Sequence, residues 1–351
     1  MYCFRVRPRV AFVYQNPRAA LVAEVASGRV PDSTLLGQNH LAELGIDAFV
    51  HDLLLTRRGL PRRLARVAWN LREVVGPWEL GGSDVAVTPL ATFFPVVARA
   101  RRRPRVVVVN YGLCTTFARS TRLRRRLLSS SLQAAATVVC LGDSQSALTA
   151  EQTRADVQTV PLGTDERFWS PREAPSATEG YVLAVGKDLA RDYRTLAYAL
   201  RAMDARAELV AHPRNLEGVR LPPGTRTHLD GRAELRDLYA GAACVVIPQR
   251  AEGYAYGSEG GGLTALLEAW AMARPVVVTD RAIMRDYVTE RTGVIVPAED
   301  PAALAEAIAR VLADGELARR LGAAGREQVE CEHTTRLFAQ RLAPILRAAA
   351  A

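Results

Sequence analysis

The chain has 351 residues, 49% hydrophobic and 24% charged, with a formal net charge of +9; this balance excludes intrinsic disorder, and the length points to two domains. Its five scattered cysteines (Cys3, Cys114, Cys140, Cys244 and Cys331) show no CxxC or Cys/His spacing, which excludes a disulfide framework and a zinc module. Residues 1–165 carry 22 Arg against 12 acidic residues, whereas residues 166–351 carry 24 basic against 25 acidic ones, so the positive excess belongs wholly to the first half and predicts an anionic partner there.

The opening stretch "MYCFRVRPRVAFVY" has basic residues but no uninterrupted apolar run, and no window reaches about 18 apolar residues. It reads as a strand, not a leader or a membrane span, and a reduced cytoplasmic location is expected. Short β-branched runs then follow one another: 9–14, 47–51, 83–88, 105–110, 137–141 and 157–161. Between them lie helix-like segments such as "PDSTLLGQNHLAELG" and "STRLRRRLLSSSLQAA". Apolar runs without alternation, separated by helices, predict a parallel sheet covered on both faces.

Residues 166–179 are rich in Pro, Ser and Thr and read as a linker. The pattern restarts with runs at 180–186, 207–211, 243–248, 275–280 and 292–297. Asp300 and Pro301 have the identities of an N-cap and first helical residue. A last helix is expected up to a kink at Pro344, with residues 334–351 returning to the first domain. The predicted fold is therefore α/β, with doubly wound Rossmann-like domains at 1–165 and 180–333 facing a cleft, the default place for a ligand.

Two features of the second domain suggest anion chemistry. The stretch "VLAVGKDLARDYRTL" holds the only lysine of the chain, Lys187, directly after Gly186 at the end of an apolar run. Further on, Gly260, Gly261 and Gly262 precede the helical segment "LTALLEAWAMA". Glycines let a ligand approach the backbone, and the free amides at a helix start favour negative charge. Glu268 lies within that helix among Leu266, Leu267, Ala269 and Trp270. A carboxylate in such apolar company needs a partner.

These residues resemble a family. Glu259–Gly260–Gly261–Gly262–Leu263–Thr264, then "LLEAWAMA", "RPVVVTD" and "TGVIVPAEDPAALAEAI", are similar to the retaining GT-B glycosyltransferases of family 4. The resemblance covers most of residues 157–330 and implies two Rossmann domains, the second holding a nucleotide-sugar. That donor is a substrate, so no cofactor is implied.

On this resemblance Lys187 and Arg191 grip the diphosphate, with Arg194 as the rival second cation. Glu268 binds the ribose, and the backbone of Gly261, Gly262 and Leu263 meets the distal phosphate. The base is expected near His212 and Gly231. No protein nucleophile is implied, and no DxD-like metal motif stands in a suitable loop. The acceptor is a hydroxyl of a glycan, a lipid-linked sugar or a small molecule.

Three departures stand out. Glu259 and Glu268 are nine positions apart, one more than in the family. The loop after the first strand, "YQNPRAAL", has no glycine. Asn110 stands where the family often has a histidine near the reacting sugar; asparagine can hold a hydroxyl but cannot take a proton. An inactive relative acting as a partner subunit and a nucleotide-sugar epimerase are the alternatives.

In the first half, Arg119, Arg122, Arg125 and Arg126, with Leu123 and Leu127, form a surface suited to anionic lipid as well as to plain solvation, which would make the protein peripheral on the membrane's inner face. Nucleic acid is not expected, since no aromatics interleave with the arginines. His51, His228 and His333 read as packing or surface residues, and Asp280 as a strand-end residue.

Overall fold

The computed structural model describes residues 7–54, 62–171, 180–203, 205–228 and 235–351, without the side chains of 62–67 and 69. The chain divides into two compact units. The first comprises 1–163 with 335–351, and the second 164–334.

The first unit runs β1 (Arg9–Phe12), α1 (Leu21–Ala26), β2 (Asp47–Val50), α2 (Arg62–Glu79), β3 (Val85–Thr88), α3 (Phe94–Ala100), β4 (Arg105–Val109), α4 (Leu113–Ala118), α5 (Arg122–Ala134), β5 (Thr137–Cys140), α6 (Asp143–Gln152) and β6 (Val157–Thr159). All pairings are parallel, in the order β2-β1-β3-β4-β5-β6. Every residue of β3 and β5 is buried, because helices cover both faces of such a sheet and unbroken valine runs can fill it. The C-terminal helix, numbered α14 below, spans Thr335–Ala350 and belongs to this unit. Thr335 Oγ1 donates to Asp32 Oδ1 at 2.7 Å, and Arg336 pairs with Glu43 at 2.7 Å.

The second unit runs β7 (Tyr181–Val185), α7 (Tyr193–Met203), β8 (Ala207–Val210), α8 (Pro213–Leu216), β9 (Thr225–His228), α9 (Leu235–Ala240), β10 (Ala242–Ile247), α10 (Leu263–Ala271), β11 (Val276–Thr279), α11 (Ala282–Arg285), β12 (Val294–Val296), α12 (Pro301–Ala313) and α13 (Gly315–Glu332). Its parallel sheet has the order β12-β11-β10-β7-β8-β9. Progression from β7 to β9 runs one way, and β10 to β12 the other. The reversal falls between β7 and β10, where an open α/β sheet leaves a crevice beyond its strand ends.

Several local expectations are corrected. Residues 31–45 form three short 3₁₀ turns instead of one helix. Gly37 breaks the run in the left-handed region (φ +71°), and a side chain there would meet Thr335 O at 3.0 Å. The last helix passes through Pro344, with Ala343, Ile345 and Leu346 buried around it; packing on both sides of the proline carries the helix past the missing amide. The edge strand β9 escaped the sequence reading because its residues, "TRTH", are polar and half exposed. The first part of the expected linker is built into the second unit. Trp169 is buried and meets Tyr239 edge-on at 5.6 Å, and Arg326 Nη1 donates to the carbonyls of Glu166, Trp169 and Ala271.

The caps at 300–301 form as expected. Asp300 Oδ1 accepts from the amides of Ala302 and Ala303, each at 3.0 Å, with Pro301 opening α12. Of the four surface arginines, Arg125 is occupied: it donates to the carbonyls of Phe117, Ser120 and Ala118, closing the end of α4. Beside it Leu123 (69% exposed) and Leu127 (51%) stand out into solvent. Among the described residues no helix is long and apolar enough to cross a membrane.

Candidate functional site

The strands of the second unit end at one edge, and the segments leaving β7 and β10 build a hollow there of about 340 Å³. Val185, Gly186, Lys187, Asp188 and Arg191 form one wall, Gly262, Thr264, Ala265 and Glu268 the other, and Val210 and Leu235 complete it. Segment 188–192 is fastened to the exit of β10: Asp192 N donates to Pro248 O (3.0 Å) and Arg250 N to Ala190 O (2.8 Å), while Arg191 bridges Gln249. Gln249 in turn donates from Nε2 to Gly261 O at 2.6 Å. The glycine loop and the cation-bearing loop are thus tied through one amide side chain.

Arg191 is the centre of the hollow. It is 7% exposed, and its Nε and Nη1 have no hydrogen-bond partner. A Cβ at Gly186 would fall onto its Nε, and one at Gly262 would lie 3.2 Å from its Nη1. The guanidinium therefore spans from the tip of β7 to the start of α10. Burial pushes its pKa down; Tyr193 and Asp188 oppose this, and the like charge of Arg281 adds to it. Gly262 caps α10 at φ +104°, a conformation that side-chain-bearing residues seldom adopt. With no Cβ there, α10's first amides and Arg191's unfilled nitrogens face the same space. Buried donors without partners cost about 1–3 kcal/mol each, so an anion accepting from them recovers that deficit.

Glu268, one and a half turns into α10, is buried and accepts from Tyr239 Oη at 2.9 Å. Burial raises its pKa from 4.5 to about 7, against the pull of the Tyr239 hydroxyl. The folded state thus favours the neutral acid. That contribution is whole below pH 4.5 and is lost as the pH rises through 7, about 3 kcal/mol in all. Glu268→Gln keeps the acceptor and removes the charge. It is expected to melt with wild type at pH 4.5 and several degrees above it at pH 8, by thermal melts without ligand; equal melting at pH 8 would show that the carboxylate is stabilised in place.

The structure brings Gly186, Lys187, Arg191, Gly262, Thr264 and Glu268 to line one hollow; Gly261 and Leu263, expected to act through their backbone, adjoin Gly262 at its edge, and the other expected residues do not line it. Glu259 is buried but does not line it. Gly260 and Gly261 shape the turn, Gly261 N donating to Ser258 O at 3.0 Å. Leu263 packs its side chain into the core. His212 caps α8 through Nδ1, which accepts from Arg214 N at 3.3 Å. Arg194 is solvent-facing and lines a different hollow. Gly231 lies outside the described residues.

Asn110, in the first unit, is fully buried. Its Oδ1 accepts from the amides of Gly112 and Leu113, and its Nδ2 donates to Thr149 Oγ1 at 3.0 Å and to Cys140 Sγ. Both ends of the amide are spent inside the protein, so Asn110 braces a turn and cannot hold a sugar hydroxyl. The histidines are structural as expected: His228 meets Glu208 at 2.7 Å, His51 meets Glu79 at 3.2 Å, and His333 stacks on Tyr287.

Two residues of this site were not singled out from the sequence. Tyr239 carried no signal of its own. Arg281, two residues past the end of β11, is buried, with Nε and Nη1 lacking partners and Nη2 3.6 Å from Glu252. Its one clue was a place at the end of a strand, which an arginine-rich chain conceals.

Residues 184–314 match the family described as glycosyl transferases group 1. A stretch of 120 residues is 33% identical to a GDP-mannose-dependent monoacylated alpha-(1-6)-phosphatidylinositol monomannoside mannosyltransferase of Corynebacterium glutamicum; it covers 33% of this chain and 31% of that protein. Among solved structures, sucrose-phosphate synthase from Thermosynechococcus elongatus superposes with a TM-score of 0.76 at 20% identity, covering 97% of this chain and 98% of the other. Anabaena HepE in complex with UDP-glucose gives 0.71 at 13% identity, covering 97% and 99%. At such identities the likeness shows a shared GT-B fold.

Proposed function

We propose, for a chain whose residues 184–314 match the family described as glycosyl transferases group 1, that it transfers a sugar from a nucleoside-diphosphate donor to a hydroxyl acceptor with retention of configuration. The observation that carries this reading is Arg191: a buried guanidinium with two unfilled nitrogens, set against the amide end of α10. That arrangement suits a phosphate, and a charge growing on a leaving group more than one already settled. Support also comes from the relative that uses GDP-mannose and the neighbour that holds UDP-glucose.

In this mechanism the donor's diphosphate lies against Lys187, Arg191 and the Gly262 turn, with Arg281 as a further cation behind them. Lys187 meets the phosphate as a point charge at the exposed rim, and Arg191 as a fork inside. Glu268 accepts from the ribose hydroxyls. The bond from the anomeric carbon to the phosphate oxygen breaks, and one to the acceptor oxygen forms on the same face. The acceptor's proton passes to the departing phosphate oxygen, so no protein nucleophile is needed. The positive charge of these side chains takes the part a metal could play.

The test is incubation with UDP-, GDP-, ADP- and TDP-sugars, reading nucleoside diphosphate release and the anomeric configuration of the product by NMR. Release that persists in EDTA and falls at least tenfold in Lys187→Gln is expected. No binding or release with any of the four, or an inverted product, would sink the reading.

A further inference from the structure

A second hollow lies on the solvent face of α7. Arg194, Tyr198 and Arg201 recur there at helical spacing, while Tyr193, Leu196 and Leu200 are buried. With Gly218, Val219 and Arg220 they enclose about 290 Å³, the lower end of the size of small-molecule sites. None of these residues is acidic. Among the described residues the guanidinium groups of Arg194, Arg201 and Arg220 make no ion pair and no hydrogen bond with the protein. Their one recorded contact is Arg201, whose Cζ sits 4.6 Å over the Tyr198 ring.

Mutual repulsion does not decide the matter, since two cations ~8 Å apart in water repel by only ~0.5 kcal/mol. Shape and chemistry do. Three planar forks of the kind that grip phosphate oxygens in pairs surround one concavity with no carboxylate to compete for them. Tyr198 is 55% exposed and adds an aromatic face on which the carbon side of a sugar can rest. The hollow shares no lining residue with the donor hollow. The two are joined along the chain by the start of α7, from Arg191 to Arg194, and across space by α8, where Arg214 Nη2 donates to Lys187 O at 3.0 Å and Asn215 Nδ2 to Asp188 O at 2.7 Å.

We propose that this hollow is a second anion site, one that binds the phosphate monoester of a small sugar or polyol. A free phosphorylated sugar and a phosphomonoester lipid headgroup share that chemistry, and the experiment separates them. In one arm the full-length chain is titrated calorimetrically with glucose 6-phosphate at low salt. In the other it is floated with vesicles containing phosphatidic acid. Both arms are repeated with Arg201→Gln/Arg220→Gln, with Arg220→Gln alone, and with Lys187→Gln.

A submillimolar site for glucose 6-phosphate that weakens at least tenfold in the double variant and stays within twofold in Lys187→Gln assigns the hollow to a free ester. Flotation lost in the double variant, with glucose 6-phosphate silent, assigns it to a lipid headgroup. Arg220→Gln, which changes one exposed side chain, guards against misfolding of the double variant and is expected to show part of the same loss. The proposal is overturned if neither arm shows binding, if binding survives the double variant, or if Lys187→Gln alone abolishes it, since the phosphate then sits in the donor hollow. None of these outcomes depends on glycosyl transfer, so failure here and failure of the functional reading are distinguishable.

Discussion

Replacing Arg191 by methionine is expected to weaken binding of a nucleoside diphosphate by about two orders of magnitude and, at the same time, to raise the melting temperature of the ligand-free protein. The two effects share one cause. Without ligand the guanidinium is 7% exposed, two of its nitrogens lack partners, and Arg281 is a like charge nearby. Burying a charge on such terms is unfavourable, and exchanging it for an apolar side chain of similar length typically gains about 1–3 kcal/mol, a few degrees in melting temperature for a unit of this size. With ligand the balance reverses, because removing one partner of a desolvated charge pair costs about 2–5 kcal/mol. Calorimetry with UDP, GDP and ADP and thermal melts of the free protein check both halves. A lower melting temperature would mean that the fold itself satisfies Arg191; unchanged nucleotide affinity would remove the anion site. Arg281→Met is expected to move both quantities in the same directions by less, because Glu252 already meets one side of that guanidinium.

Gly262→Ala is expected to abolish nucleotide binding and to destabilise the second unit by about 2–3 kcal/mol. The residue sits at φ +104°, so any side chain is strained there. The new Cβ would also lie 2.5 Å from Met284 Cε and 3.0 Å from Ile247 Cγ2. Both neighbours are fully buried, so neither can swing into solvent. The same Cβ would crowd Arg191 Nη1 and stand before the first amides of α10. Gly315→Ala is the control: no atom lies within 4 Å of its added Cβ, and melting and binding should match wild type. Wild-type affinity in Gly262→Ala, by the same calorimetry, would show that the ligand does not approach this turn.

How far the sequence carried depended on what each residue does locally. Strands such as 105–109 and 276–279 were legible because burial on both faces demands unbroken apolar runs, which few other structures need. The polar edge strand at 225–228 lacked that pattern and went unread. Lys187 and Gly262 could be singled out because a strand end and a helix start announce themselves through glycine and charge, whereas Arg191 and the role of Glu268 were picked out by the family resemblance; the fold brings all four to one hollow. Arg194 was misplaced for a geometric reason: three residues beyond Arg191 and already inside α7, it turns onto the helix's outer face. Asn110 was misjudged because sequence position gives a strand end but not which way the amide points, nor that Thr149 and the 112–113 amides consume it. Arg281 and Tyr239 come into play only through tertiary packing, which no spacing in the chain encodes.

Lysine occurs once in 351 residues, and its side chain is exposed at the rim of the hollow proposed to hold the donor. Acylating reagents that ignore arginine therefore have a single side-chain amine to attack, whatever the rest of the surface looks like. Apart from the chain's α-amine, which acylates at lower pH, a fluorophore or spin label delivered by such chemistry lands at the mouth of this cavity without any engineered cysteine, and a ligand that covers the lysine slows its own detector's attachment.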